Sequence, residues 1–285
     1  MTARLAAPLF VLLWSTGFVG ARWGLPDAPA MGFLALRFMT AAALLGAIAV
    51  AVGAAWPGRE GWHRQAVVGG LLHGGYLGGV FAAIDLGVEA GVAALIVSLQ
   101  PIVTAALAGP LLGERMTRTQ WLGLALGLAG SALVLARKLD GGVGDLTGAA
   151  LCAVALVAIS VATLYRKRFE AGGSVAADTT VQYLAALALV APFALMETEP
   201  VRWTPDFVFA LGWLVLVLSL GAVGLLMWLL ARGAASEVAS LFFLVPPVTA
   251  LMAWALFGEV MGPLALAGMG IAVLGVALTM RGGAG

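Results

Sequence analysis

Residues 90–133, AGVAALIVSLQPIVTAALAGPLLGERMTRTQWLGLALGLAGSAL, recur at 235–278 as ASEVASLFFLVPPVTALMAWALFGEVMGPLALAGMGIAVLGVAL, without a gap and at a constant offset of 145. Sixteen of the 44 positions are identical. Ala, Leu and Gly matches are cheap in a chain this apolar, so the weight falls on Pro101 with Pro246, Thr104 with Thr249, Gly113-Glu114 with Gly258-Glu259, and Met116 with Met261. The offset is close to half of the 285 residues. Two homologous halves are therefore expected, 1–138 and 145–285, and such internal repetition is frequent in secondary transporters.

Composition names the solvent. Apolar residues make up 62% of the chain and charged ones 10%, against roughly 45–50% and 25% in soluble domains. A bilayer core of about 30 Å needs about 20 apolar residues in a helix, and stretches of that length run from one end of the sequence to the other. The expected fold is all-α and integral to a membrane, with a lipid bilayer as its surroundings. A net charge of +1 provides no basic face for nucleic acid. Cys152 is the sole cysteine, which excludes an internal disulfide and a cysteine-rich metal cluster; no metal or other cofactor is expected. The first apolar run, Leu5 to Val19, reads as a retained helix and not a cleaved signal.

Breaks at charged and Pro/Gly clusters predict ten helices, at 5–22, 30–53, 66–87, 90–110, 119–136, 146–165, 177–195, 207–230, 236–257 and 263–280. With both termini on one side, that side collects Arg4, Arg59, Arg64, Arg115, Arg118, Arg166, Lys167, Arg168, Arg232 and Arg281, and the other Arg22, Arg137, Lys138 and Arg202. Ten against four places both termini in the cytoplasm. Five helices per half is an odd number, so the second half enters the membrane inverted. Trp23, Trp56, Trp62, Trp121 and Trp203 stand near predicted helix ends, where interfacial aromatics belong.

The early LLWSTGFVGARWGLPDAPAMGFLALRF, followed by PIVTAALAGPLLGERMT and QWLGLALGLAGSALVL, resembles the EamA domain of the drug/metabolite transporter superfamily, present twice. The resemblance implies ten helices as two inverted five-helix repeats around a central cavity, and export of metabolites from bacteria across the cytoplasmic membrane. The amino-acid exporters of that superfamily, including the YddG type, are the nearest functional analogy. Gln182 stands 145 residues after Arg37, so the role of Arg37 is not mirrored.

Arg37 sits about 9 Å inside the second helix if that helix begins near Met31. A charge at that depth is costly unless paired or snorkelled. Asp85 and Glu89 stand at the same predicted level, so the candidate readings are an ion pair with one of them, snorkelling to headgroups or, third, a substrate carboxylate contact. His73 and Tyr76, at i and i+3, share a helix face within a run of glycines at every fourth position, Gly70, Gly74 and Gly78, which favours close helix contact. Both are assigned to a cavity wall.

Pro101 and Pro246 interrupt helices four and nine, and matched breaks in two halves point to a midplane binding site. Near them stand Ser98, Gln100 and Thr104, and Ser240, Phe242, Phe243 and Thr249; Ser98 and Gln100 point to nearly opposite faces. Helices one and six add Trp14 and Ser15, and Ser160, Thr163 and Tyr165, with Ser15 and Ser160 again 145 apart. The expected substrate contacts are Trp14, Ser15, His73, Tyr76, Ser98, Gln100, Ser160, Thr163, Phe242 and Phe243. Arg37, Asp85, Glu89, Pro101, Pro246, Glu114 and Glu259 are assigned to structure or gating, the two glutamates as caps or turn-binders.

There is no Walker loop, no GxSxG elbow and no pair of histidines at helical spacing, since His63 and His73 lie ten residues apart. No enzyme is expected. The residues lead to a secondary exporter of small metabolites, amino acids first, working by alternating access, with a small-molecule substrate as partner and the oligomeric state left open, a monomer being compatible. Efflux of cationic or hydrophobic drugs is the rival within transport; an intramembrane lipid enzyme and a non-transporting scaffold are the rivals outside it.

Overall fold

The computed structural model describes residues 3–86, 88, 93, 96–136, 146–169, 174–257 and 262–281. Every regular element among them is helical. Ten helical stretches follow one another: α1 (Ala3–Gly24), α2 (Ala30–Ala51), α3 (59–85), α4 (Gln100–Leu112), α5 (Arg118–Leu135), α6 (Leu146–Arg168), α7 (Val175–Ala194), α8 (Pro205–Leu230), α9 (235–257) and α10 (Pro263–Arg281). Seven are long and apolar enough to cross a membrane, and Leu5–Gly17 and Gln100–Leu112 are shorter apolar segments. Leu122, Leu189, Leu216, Leu251 and Leu274 lie exposed along the helices. Lipid accepts such an outer surface at no cost, whereas water would not.

The helix bounds carry the sequence offset. Gln100–Leu112 shifted by 145 is Val245–Phe257, and Arg118 shifted by 145 is Pro263, the first residue of α10. Two departures from α geometry are matched as well: α3 passes through a π-helical turn at Gly70–Gly75, and α8 through one at Leu214–Ala222 that contains the shifted positions 215–220. The sequence reading placed the deformable segments at Pro101 and Pro246. Both prolines lie in a first turn, Pro101 that of Gln100–Leu112 and Pro246 that of Val245–Phe257, and a 3-10 segment, Leu241–Leu244, precedes the latter. Helix α3 also starts earlier than expected, at Arg59, because Gly58 stands in an extended conformation just before it.

Helices α5 and α10 cross at the distance of two bare backbones. A Cβ added at Gly130 would lie 2.4 Å from the Ala272 nitrogen, and one added at Gly275 would lie 2.4 Å from the Gly127 nitrogen. Gly123 meets Gly275, while Gly268 meets Gly130. Each contact thus recurs with partners exchanged after the shift of 145, the reciprocity expected of a two-fold related pair.

Contacts between loops define two ends of the bundle. At one end the Asp27 carboxylate accepts from Thr204 Oγ1 at 2.6 Å, and Glu197 accepts from the Met31 and Gly32 amides at 2.8 and 2.7 Å. At the other end Lys167 Nζ donates to the Leu230 carbonyl at 3.0 Å, and the Arg64 guanidinium lies 5.4 Å from the Phe169 ring centre. This second end also holds Glu114. Its carboxylate accepts from the Ala235 amide at 2.8 Å and from the Ser236 hydroxyl at 2.7 Å, capping α9. The sequence expectation was a cap for the next helix or a bond to the turn; α5 has its own capping box, Thr117 with Gln120. Gly113, in the left-handed region at φ 73°, turns the chain so that Glu114 faces away from α5. Glu114→Ala is expected to cost about 1–2 kcal/mol through the lost charged cap, read as a lower melting temperature in detergent with helix content unchanged.

Candidate functional site

A cleft is lined by α1 (Trp14, Gly17, Ala21), α2 (Arg37), α3 from Leu72 to Phe81, and α8 (Leu214, Leu218, Val223). Its walls are apolar or aromatic except at three places: Arg37, His73 and Tyr76. The π turns of α3 and α8 face each other across it, each carrying lining residues, His73 on one and Leu214 and Leu218 on the other. An extra residue in a turn shifts the helix face and alters its hydrogen-bond ladder, which is why such turns recur at functional sites.

Arg37 is buried, and its Nε donates to Ser219 Oγ at 3.0 Å. Ser219 belongs to the π turn of α8, and its carbonyl accepts from the Tyr183 hydroxyl at 3.2 Å. A hydroxyl holds the guanidinium in place without neutralising it. His73 stacks on Tyr183 at 4.4 Å between ring centres, and Tyr183 stacks on Phe38 at 5.8 Å. Of the three rings His73 lines the cleft, and Tyr183 and Phe38 are fully buried behind it. His73 Nε2 is buried and has no hydrogen-bond partner, although buried polar groups nearly always have one.

Three of the ten expected contacts, Trp14, His73 and Tyr76, line the cleft together. Phe242 of α9 stands behind Trp14, edge-on at 5.3 Å, and Phe10 packs against both rings at 5.3 and 5.4 Å. Phe243 is fully buried against α5, where Ser131 Oγ donates to its carbonyl at 3.2 Å. Ser15 donates to the Val11 carbonyl at 2.7 Å, Ser160 to that of Leu156 at 2.8 Å and Thr163 to that of Ile159 at 2.9 Å. Gln100 Nε2 donates to Thr104 Oγ1 at 3.2 Å, and Ser98 is buried just before α4. Ser15, Ser160, Thr163 and Gln100 thus bond within their own helices, Ser15 also reaching the Val245 carbonyl of α9 at 3.4 Å, and neither they nor Ser98 line the cleft. Glu89, Glu259 and the side chain of Asp85 lie outside the described residues, and the ion pair considered for Arg37 lies there with them.

Sequence reasoning missed Ser219 as the anchor of Arg37, and it missed a buried polar cluster on the other side of the ring stack. In that cluster Gln65 Oε1 accepts from Arg166 at 3.1 Å and from Gln182 at 2.7 Å, and Arg166 stands 3.6 Å from Asp178. Asp178 and Gln182, one turn apart in the mostly apolar α7, were the available signal.

An all-helical bundle with an outer surface suited to lipid and a buried, sparsely charged cleft defines a polytopic membrane transporter. The EamA-like transporter family model matches this chain twice, over residues 1–136 and 146–281, and the chain belongs to that family. A probable terminal-alkyne amino-acid exporter of Streptantibioticus cattleyicolor is 32% identical over 293 residues, covering 97% of this chain and 92% of that one. The chain is 27% identical to a probable amino-acid metabolite efflux pump of Salmonella typhimurium, over 97% and 94% of the two chains. It is 25% identical to the uncharacterized inner membrane transporter YedA of Escherichia coli strain K12, over 99% and 94%. A crystal structure superposes with a TM-score of 0.83 at 24% identity, covering 98% of this chain and 96% of that one, a likeness of fold. The protein is thus a multi-pass membrane transporter.

Proposed function

We propose that the protein exports amino acids or close derivatives with neutral, apolar side chains, by alternating access between two inverted halves, 1–138 and 145–285, with both termini in the cytoplasm. The observation that carries the reading is the cleft itself, in which one guanidinium, Arg37, is set among aromatic and aliphatic walls. A guanidinium held by a neutral hydroxyl keeps its donors for a carboxylate, which it matches bidentately. Trp14, Tyr76 and Phe81 offer the apolar surface that a hydrophobic side chain buries, and His73 Nε2 supplies a further polar contact. The relatives named as amino-acid exporters and efflux pumps support the same substrate class.

Inversion is supported by the loop contacts. Helix α1 ends beside Thr204, at the start of α8, whereas its counterpart α6 ends beside Leu230, at the finish of α8. Efflux of cationic drugs is disfavoured by Arg37, which would repel a cation from the same cleft.

Counterflow in proteoliposomes with radiolabelled amino acids and a panel of organic cations tests the reading. Exchange of aliphatic or aromatic amino acids is expected, with little for phosphorylated metabolites. Exchange confined to organic cations would overturn it.

A further inference from the structure

We infer that Gln65, Arg166, Asp178 and Gln182 form the closed state of a second substrate site, which opens towards the Leu230 end of the bundle and receives the substrate's carboxylate on Arg166 and its ammonium on Asp178. The inference rests on the proposed exporter function and deepens it.

The first support is the shift of 145. Applied to the cleft lining, it carries Ala21 to Arg166 and Arg37 to Gln182. In a protein whose halves exchange conformations, the surface opened at one end is the counterpart of the surface open at the other. The residues that the exchange would uncover at the Leu230 end therefore include Arg166 and Gln182. The remaining pair, Gln65 and Asp178, correspond to Ala210 and Phe33, which are buried apolar residues at the opposite end. The offset thus carries Arg166 and Gln182 into the site, while Gln65 and Asp178 enter it through their contacts with those two.

The second support is the state of the polar atoms. Gln65, Asp178 and Gln182 are at most 1% exposed and Arg166 is 7% exposed. Despite that burial, both Asp178 oxygens, Arg166 Nε and Gln182 Oε1 have no hydrogen-bond partner, and Thr179 Oγ1 beside them has none either. Five of the eight such atoms among the described residues fall in this one place. The Arg166 to Asp178 distance of 3.6 Å is an electrostatic contact longer than a hydrogen bond. A cluster built only to hold three helices together would satisfy its own donors and acceptors. Here a cationic donor and an anionic acceptor face each other with bonding capacity left over, and a zwitterion inserted between them would use it. Their placement fits: Arg166 lies in the last turn of α6 and Asp178 in the first turn of α7, so a small separation of these helix ends from α3 opens the cluster directly.

The inference makes the two ends chemically different. The cleft offers only a cation for the carboxylate, whereas the second site offers both charges. Recognition of the ammonium therefore belongs to the Leu230 end.

The test uses the full chain in proteoliposomes and three competitors for counterflow of a radiolabelled hydrophobic amino acid: the amino acid itself, its deaminated carboxylic acid and its decarboxylated amine. Asp178→Asn is expected to lower the preference for the amino acid over the carboxylic acid at least about tenfold, and Arg166→Gln to lower the preference over the amine by a similar factor. Arg166→Lys, which keeps the charge, is expected to retain most of that preference. Since a variant could fail to fold, a second measurement leaves the ion pair intact. Gln182→Cys, in a chain carrying Cys152→Ala, is expected to react with a membrane-impermeant maleimide applied from the Leu230 side, and to be protected by the amino acid. Wild-type protein that exchanges amino acids, together with unchanged preference ratios in both variants or an unreactive Gln182→Cys, would overturn this inference alone. Absence of amino-acid exchange in the wild type would overturn the exporter reading and this inference with it.

Discussion

Proteoliposomes containing Arg37→Gln are expected to show amino-acid counterflow lower by about 10- to 100-fold, through a raised half-saturation concentration. The range follows from about 1.5–3 kcal/mol for a hydrogen bond to a charged group, at 1.4 kcal/mol per factor of ten. Glutamine is the informative replacement because its amide nitrogen can still reach Ser219 Oγ, so the contact between α2 and α8 survives while the charge does not. Arg37→Lys is expected to fall between the two, because an ammonium attracts a carboxylate without the planar fork. Wild-type flux in Arg37→Gln would remove the carboxylate contact from the account. Measurement against the decarboxylated amine sharpens the result, since a substrate without a carboxylate has nothing to lose from the change.

The second large effect is structural. Gly130→Leu and Gly275→Val each place a Cβ 2.4 Å from a backbone nitrogen of the facing helix, where no rotamer change relieves the overlap. Core overpacking usually costs about 1–3 kcal/mol. Here the obstacle is main chain, so helices α5 and α10 would have to move apart as rigid bodies and give up the contacts along their length. Neither variant is expected to elute as a monodisperse peak from size exclusion in detergent. Gly270→Ala supplies the control: its Cβ meets nothing within 4 Å, and its elution and melting are expected to match the wild type. Normal elution of Gly130→Leu would mean that the crossing is looser than the structure has it.

The repeat was legible because the rarer matches, Pro101 with Pro246 and Thr104 with Thr249, lie where an accidental match is improbable, and helix bounds follow the same offset. The cleft was only partly legible. Trp14, His73 and Tyr76 share it because a bulky polar aromatic in a membrane helix is costly to leave without purpose. Ser15, Ser160 and Thr163 attract attention for the same reason, yet a hydroxyl in a helix satisfies itself on the carbonyl one turn back, and all three do so. The π turns were not readable, since neither the glycines of GLLHGG nor the apolar LVLVLSLGA separates a π turn from an α turn. Nor was the pairing of Arg37 with Ser219, which are 182 residues apart. In a bundle as apolar outside as inside, periodicity does not reveal which faces meet.

The ring stack has a further consequence. Phe38 and Tyr183 are separated by the repeat offset and stack on each other, as two residues on the axis of the proposed inverted halves would. In the proposed cycle, side chains far from that axis travel while those on it stay nearly still. Phe38 and Tyr183, buried behind the His73 ring, would then lie between both mouths, and a bulkier or smaller ring at either position should alter entry and exit alike, whereas changes at Arg37 or Asp178 act on one mouth first.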